Sequence, residues 1–322
     1  MTAVSGTFQQ YQSIGNLEDI EDQIYNISPT ETPFMSMAAR AKATARFHEW
    51  QTDALASAAA NAQIEGDELN VNTVVPTARV GNYCQILTKG IIISGTQEVV
   101  QKAGRKSELA YQIAKRGKEL KRDLEFALCQ NQASTAGATA SASTMAGSES
   151  WMSGNKTDLG SGGSPTTPGY SGGTVAAPTD NSTAGTFVKS ALDAIIQEVW
   201  TAGGEPKVIL TGPFNKTQAA AFTGIATLYK EVPGMKQGVI VGGADVYVSN
   251  FGEHTIVPSR FNRDDTVQVL DFDYWAAAYL RPFQVKEIAR TGDAEKRLML
   301  TEVTLVARNQ NASGKITSLT TS

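Results

Sequence analysis

The chain has 322 residues, which is long enough to bury two or more cores. Its net charge is −4 and its pI is about 5.4, so no domain-wide basic field indicates a nucleic-acid-binding protein. Cys84 and Cys129 lie 45 positions apart, which argues against a disulfide framework or a structural zinc site. No basic region followed by an apolar run opens the chain, and its apolar stretches are too short to cross a bilayer. We therefore expect a protein that is made and used without export.

Residues 1–45 are predicted to form an arm that lies on another surface, because they bury little on their own. A short apolar stripe in this arm ends at Ser28-Pro29, and the stretch around Pro33 is predicted to run extended. The stripe consists of Leu17, Ile20, Ile24 and Ile27.

Residues 46–93 are predicted to form two β-segments, 46–52 and 79–88, joined by a long excursion over 53–76. The excursion is rich in alanine and then acidic. A two-stranded extension without a covering helix is marginal as an isolated object. We therefore expect a neighbouring subunit to supply its missing face. The acidic residues are Glu65, Asp67 and Glu68.

Residues 106–131 carry the strongest helical pattern, and Ser107 is its expected N-cap. Leucine and isoleucine recur at three- and four-residue steps along one face. Such a helix is about 35 Å long at 1.5 Å per residue, which is long for a small domain. The other faces carry Lys115, Arg116, Lys118, Lys121 and Arg122, partly balanced by Glu119 and Asp123.

Residues 133–185 are dominated by alanine, serine, threonine and glycine. This composition buries too little apolar surface for a compact core, so we expect a flexible insertion that neighbours order in part. Trp151 and Met152 are the exception and are predicted to anchor the segment.

The remaining chain alternates short helices and strands, which indicates a compact α/β or α+β domain. A helix over 188–200 is expected to stop at Gly203-Gly204. The later strands change apolar phase between Leu300 and Val303, which indicates a bulge or a change of sheet. Other predicted elements are a helix over 213–222 and strands over 208–210, 239–241, 244–249, 267–270, 275–280, 285–288 and 297–306, with a turn at 281–282.

Catalytic motifs are weak. Residues 169–173 match G-x-S-x-G around Ser171, but no buried strand precedes this serine and no helix follows it. His48 and His254 have no partner at metal-ligand spacing. Four aspartates are assigned to turns between strands. The sequence therefore predicts no enzyme and no catalytic, cofactor-binding or metal site. The aspartates are Asp264, Asp265, Asp271 and Asp273.

The element order resembles the major capsid proteins of tailed bacteriophages, whose α+β fold is named after the coliphage Hong Kong 97. The supporting motifs are Met145-Ala146-Gly147 with Trp151-Met152, residues 200–206, and residues 303–319 with Gly314-Lys315-Ile316. The implied parts are an N-terminal arm (1–45), an extended E-loop (46–93), a peripheral domain with a spine helix (94–132), a flexible insertion (133–185), an axial domain (186–262) and returning strands (263–322).

This resemblance implies self-assembly into hexamers and pentamers of an icosahedral or prolate head that encloses double-stranded DNA through weak contacts. The expected location is the virion after synthesis in the host cytoplasm, and no cofactor is implied. Portal, scaffolding and decoration proteins are the implied further partners. Some members cross-link a loop lysine to a neighbour's asparagine, but residues 53–76 contain no lysine.

The sequence also suggests a pairing across the subunit interface. The three loop acids are expected to face Lys115, Lys118 and Arg122 of a neighbouring helix, and Trp151 is a further candidate interface residue. Exposed ion pairs of this kind orient subunits more than they add affinity.

Other interpretations remain open. An encapsulin-like bacterial nanocompartment shares the fold and would hold a protein rather than DNA. A surface or adhesive protein is suggested by the Ser/Thr/Gly-rich middle of the chain. An esterase that uses Ser171 is the third alternative.

Overall fold

A computed structural model describes residues 28–66, 68, 74–222 and 245–322. Within these residues the chain is an α+β protein with two main sheets and two small hairpin sheets. The predicted apolar stripe over 17–27 and the predicted strand over 239–241 lie outside the described residues.

The first main sheet has four strands, which are β1 (Ala39–Lys42), β4 (Gln85–Ser94), β12 (Trp275–Ile288) and β13 (Ala294–Ala307). Their order in the sheet is β1-β12-β13-β4. The outer pair β1–β12 is parallel, and the other two pairings are antiparallel. Helix α3 (Glu108–Cys129) packs on β4 and β13.

Strand β12 runs without a break where a turn was predicted. The prediction of a turn at 281–282 is wrong, because the strand continues through Pro282. Its register against β13 shifts between Tyr279 and Arg281 and again between Arg281 and Gln284. Each shift places one extra residue on β12, so two bulges accommodate the proline, which has no N–H to give to the ladder. The expected irregularity exists, but it lies in β12 rather than in β13.

The long helix α3 confirms the strongest prediction. Ser107 caps its N-terminus, with the side-chain oxygen accepting a hydrogen bond from the Ala110 N–H at 3.2 Å. Leu120, Leu124 and Leu128 of the predicted apolar face are fully buried. A short helix, α2 (Gly95–Val99), precedes it.

The described end of the arm is fixed on α3 by a buried carboxylate. The extended run predicted around Pro33 is wrong, because Pro33 stands at the first position of a short helix, α1 (Pro33–Met37), where a proline is tolerated. The backbone N–H groups of Phe34 and Met35 in this helix donate to the two oxygens of Glu125 at 2.7 Å each. Phe34 is buried in edge-on contact with Phe272 and Trp275. Burial raises the pKa of Glu125 to about 7, although the two N–H donors act in the opposite direction.

The second main sheet has six strands, which are β5 (Lys156–Asp158), β8 (Val208–Thr211), β9 (Val246–Ser249), β10 (Gly252–Pro258), β11 (Val267–Leu270) and β14 (Gly314–Thr317). Their order in the sheet is β5-β14-β11-β8-β10-β9. Short 3-10 turns lie at Phe272–Tyr274 and Gln310–Ala312.

Two helices pack on this second sheet. Helix α5 (Lys189–Thr201) buries its apolar side on the sheet. It ends just before Gly203, whose φ is +88°, which confirms the stop predicted at Gly203-Gly204. Helix α6 (Pro213–Ala220) contacts β10.

The segment 133–185 is mostly irregular and lies against both main sheets. Its elements are α4 (Ser148–Trp151), the edge strand β5, and a hairpin of β6 (Tyr170–Ser171) and β7 (Thr174–Val175). Gly172 and Gly173 form the hairpin turn with positive φ, so Ser171 ends a short strand instead of sitting before a helix. The expected flexibility of this segment stays a prediction.

We expect Glu125→Gln to lower the free energy of unfolding by about 1–3 kcal/mol, because one buried N–H of α1 loses its acceptor. The raised pKa of Glu125 also makes wild-type stability fall as the pH rises from the ordinary value of 4.5 to about 7. That fall should be smaller in the variant. Denaturant unfolding at pH 5 and pH 7.5 measures both effects, with exposed Glu253→Gln as the control. Equal stability of Glu125→Gln and wild type would contradict this role.

Candidate subunit-interface surfaces

A two-stranded hairpin, which we call the stalk, packs against the four-stranded sheet. It consists of β2 (Phe47–Thr52) and β3 (Ala78–Tyr83), which pair antiparallel along their whole length. Asn82, near the end that leads to β4, is fully buried and donates to the Leu305 carbonyl at 2.9 Å. Trp50 pairs with Val80 nearer the loop end, and its indole N–H donates to the Ala307 carbonyl at 3.0 Å. The stalk is therefore packed on the core along most of its length.

Beyond the stalk, residues 53–77 form what we call the exposed loop. Its described residues belong to no helix or strand and are exposed. Four large apolar side chains in it face water, at 78–98% exposure, which makes the loop a candidate interaction surface. These side chains were not predicted from the sequence, although each is a large apolar residue in an alanine-rich or polar stretch. They are Leu55, Ile64, Val74 and Val75.

The acidic residues predicted to lie at an interface are in this exposed loop. Glu65 is exposed in a turn with Gly66, whose φ is +83°. Glu68 is exposed as well. Asp67 lies outside the described residues. The structure therefore places two of the three carboxylates on the solvent side of the loop.

The predicted cations lie on α3. Lys115 and Lys118 are exposed, and their helical spacing sets them opposite Leu120 and Leu124. In the described part of the chain neither lysine forms an ion pair, because the nearby acids are taken by other partners. Those pairs are Arg116–Glu119 at 2.6 Å, Lys89–Asp123 at 2.6 Å and Arg105–Glu108.

Arg122 differs from the two lysines. Its guanidinium lies 5.6 Å from the centre of the Phe261 ring, and the residue is half-buried. Its Nε has no hydrogen-bond partner among the residues that the structure describes. Arg122 therefore already has a cation–π contact in its own chain and is less open to a neighbour.

Trp151 corrects another prediction. It is only 1% exposed, so it belongs to the core of its own chain and does not offer its ring to a neighbour. The ring stacks on Tyr170 with centroids 5.9 Å apart and also lies 5.4 Å from Trp50. The expectation that Trp151 anchors the segment 133–185 agrees with this position, whereas the interface assignment is wrong.

The histidine that looks most like a catalytic group has structural partners. His254 is buried; its Nδ1 lies 2.6 Å from the Pro206 carbonyl oxygen and its Nε2 lies 2.7 Å from the Ser249 hydroxyl. Because a carbonyl only accepts, Nδ1 carries the proton and Nε2 accepts from Ser249. Burial lowers the pKa of His254, which keeps the ring neutral.

In the described ranges, no cluster of three or more histidine, cysteine, aspartate or glutamate side chains is placed to hold a metal ion. No described helix combines the length and apolarity needed to span a membrane. Cys84 and Cys129 are free and buried, and burial raises the pKa of both thiols.

Comparison with known proteins shows similarity to major capsid proteins of bacteriophages. A family model described as SU10 major capsid protein matches residues 3–320. The major capsid protein of Escherichia phage Phieco32 is 30% identical over 350 aligned positions that cover 95% of each chain.

Solved structures show the same fold at low identity. The capsid asymmetric unit of cyanophage A-1(L) matches with a TM-score of 0.67 and 14% identity, over 98% of this chain and 99% of that one. The capsid of a native GTA particle matches at 0.61 and 13%, over 97% and 98%. The holo-SrpI encapsulin complex of Synechococcus elongatus matches at 0.52 and 11%, over 95% and 93%.

The buried position of Trp151 predicts that Trp151→Ala destabilises the unassembled subunit by about 3–5 kcal/mol, because a large core side chain is removed. Trp151→Phe retains part of the contact with Tyr170 and should cost less. Urea unfolding of the unassembled chain gives both values. Wild-type stability of Trp151→Ala combined with a loss of assembly would instead favour an interface role.

Proposed function

The chain belongs to the SU10 major capsid protein family, and on that premise we propose how it builds a bacteriophage head. It is a structural protein of the virion that assembles with copies of itself into a shell. The finer proposal is that hexamers and pentamers tile an icosahedral or prolate head around double-stranded DNA. Within each subunit we keep the division into arm, E-loop, peripheral domain, insertion, axial domain and returning strands at the boundaries predicted above.

The observation that carries the proposal is the exposed loop. Leu55, Ile64, Val74 and Val75 are left in water by their own chain, beyond a stalk that is packed on the core. Burying one such side chain stabilises by roughly 1.5–3 kcal/mol. A neighbouring copy that covers the loop would therefore supply most of the attraction between subunits. The described residues of the loop are exposed, so a neighbour can reach them.

We further propose that the loop crosses the α3 region of the neighbour. Glu65, Asp67 and Glu68 would then face Lys115, Lys118 and Arg122. Exposed pairs contribute roughly 0–1 kcal/mol each, so they would select the orientation of the contact. Lys115 and Lys118 suit this role best, because Arg122 is already engaged with Phe261.

The remaining proposals concern DNA contacts, partner proteins and the place of synthesis of a container protein that catalyses no reaction. The net charge of −4 suits weak, non-specific contacts to enclosed DNA. Portal, scaffolding and decoration proteins are its proposed partners, and the bacterial host cytoplasm is the proposed place of synthesis. The hydrogen bonds of His254 and the hairpin position of Ser171 support the non-enzymatic proposal.

An encapsulin-like nanocompartment is the second candidate, because the SrpI encapsulin complex has the same fold. Nuclease-treated shells from the native source separate the two functions. Protected double-stranded DNA supports the phage head, and a folded protein cargo without DNA supports the nanocompartment.

The exposed loop provides one direct test. The quadruple variant has Leu55, Ile64, Val74 and Val75 all replaced by serine. We expect it to form no shells, or to need a protein concentration at least about tenfold higher for assembly. The unfolding free energy of the unassembled subunit should stay unchanged, because these side chains are already in water. Electron microscopy and light scattering measure assembly, and changing the 58–59 pair of exposed loop alanines to serine is the control. Normal shells from the quadruple variant would rule the proposal out.

The charge pairing has its own test. Lys115→Glu, Lys118→Glu and Arg122→Glu together should weaken or block assembly, because like charges would then face each other. Reversing Glu65, Asp67 and Glu68 to lysine in the same chain should restore shells. Lys121→Glu changes an exposed lysine elsewhere on α3 and serves as the control. Normal assembly of the triple reversal, or failure of the loop reversal to rescue it, contradicts the pairing.

A further inference from the structure

The two faces of the six-stranded sheet are covered in different ways. Val267, Val269 and Ile316 point to the apolar core that α5 shares. The alternate residues point to the other face, where Gln268 of β11 stands in register with Lys315 of β14. Both of these polar side chains are fully buried. The same face carries Leu210 and Leu270 of the main apolar core, and its polar part is covered by α4 and by the end of α3.

The edge of the sheet beside β14 is extended by what we call the strap, residues 153–165 and 178–185. Its two limbs are joined by backbone hydrogen bonds between Ser161 and Thr183, and the Asn181 amide donates to the Gly160 carbonyl at 3.0 Å. One limb contributes β5, which adds to the edge of the sheet beside β14. Leu159 provides apolar contact with the core. The strap otherwise meets the sheet largely through polar groups.

Arg263 lies at the centre of the ionic cluster that joins strap and sheet. Its guanidinium donates to Glu149 at 2.7 Å, to Asp180 at 2.7 Å and to Asp265 at 2.6 Å. These acids come from α4, from the strap and from the loop before β11. One cation therefore connects three separate parts of the chain.

Two lysines complete the cluster. Lys315 is fully buried and donates to the backbone carbonyl of Glu149 at 2.7 Å rather than to its carboxylate. Lys156 lies 3.4 Å from Asp158 and 3.8 Å from Asp180. The full cluster is Lys156 and Asp158 of β5, Asp180 of the strap, Glu149 of α4, Arg263 and Asp265 before β11, and Lys315 of β14.

This inventory contains four carboxylates and three cations, so the charges balance when one carboxylate holds a proton. Glu149 is the group placed to hold it. Glu149 is fully buried, and its Oε2 accepts no hydrogen bond from the described residues. Burial raises the pKa of Glu149 even though Arg263 and Lys315 oppose the shift. Burial likewise lowers the pKa of Lys315.

We propose that the strap is a proton-controlled latch: it is held most tightly to the sheet when Glu149 is protonated, and it opens as a unit while α5 stays packed. Opening releases mostly polar contacts that water can replace and exposes one apolar side chain, Leu159, whereas displacing α5 would expose the apolar core. The latch is a property additional to shell assembly and does not depend on it, because all seven groups belong to one chain.

The direction of the pH effect follows from the raised pKa of Glu149 and the lowered pKa of Lys315. A carboxyl group with a raised pKa in the folded state loses stability as the pH rises from its ordinary value to the raised one. Glu149 therefore weakens the latch between mildly acidic and neutral pH. Lys315 acts in the opposite direction at alkaline pH, because a lysine with a lowered pKa regains stability as it loses its proton. The latch is weakest between these two titrations.

Hydrogen exchange measured by mass spectrometry on the unassembled full-length chain tests the latch. After correction for intrinsic exchange rates, strap peptides should exchange faster at pH 7.5 than at pH 5.5, by up to about tenfold per pH unit. Peptides from α5 should show no such change. Glu149→Gln imitates the protonated acid and keeps an oxygen for Arg263, so it should remove the difference. Glu253→Gln, an exposed change in β10, should retain it.

Three results would overturn the latch. One is strap exchange that is equal at both pH values in the wild type. Another is strap exchange that rises only together with that of α5, and the third is an undiminished pH response in folded Glu149→Gln. If this variant does not fold, the wild-type comparison of strap and α5 decides alone. None of these outcomes affects the shell proposal, which is measured by assembly of the loop variants.

Discussion

A packed hairpin that carries an exposed loop is the constraint from which the function follows. Trp50 and Asn82 fix β2 and β3 to the four-stranded sheet, whereas the described residues of the loop beyond them are exposed. Leu55 and Ile64 then remain in water in a single chain. A protein that assembles into a shell can cover such side chains with the next copy, and the exposed loop is the surface best suited to that contact.

Polar contacts help to attach the irregular segments of this fold to its helices and sheets. Glu125 holds the end of the arm on α3 through two backbone N–H groups. Arg263 holds the strap and α4 against the six-stranded sheet. Both devices attach a segment that is poor in apolar residues to a well-packed helix or sheet. They explain how a chain of this composition gives long irregular segments a defined position.

The predictions from sequence succeeded where local pattern decides and failed where distant residues decide. The cap at Ser107 and the leucines of α3 are local signals, and the helix was predicted nearly to its ends. The prediction of a turn at 281–282 was wrong. Proline usually interrupts a strand, but the hydrogen bonds between β12 and β13 continue past Pro282 with two bulges.

Trp151 was assigned to an interface because the sequence spacing does not show its partners, Tyr170 and Trp50. The ionic cluster was missed for the same reason, and the pairing of loop acids with α3 remains a prediction.

The two bulges in β12 have a mechanical consequence. The strand of 14 residues is about 46 Å long at 3.3 Å per residue, and it continues from the core around Trp275 to the far tip of the sheet. Bulges increase local twist and bend a strand without breaking the chain or most of its ladder. A pull along β12 is therefore shared by many backbone hydrogen bonds to β13 in shear, instead of falling on a flexible turn.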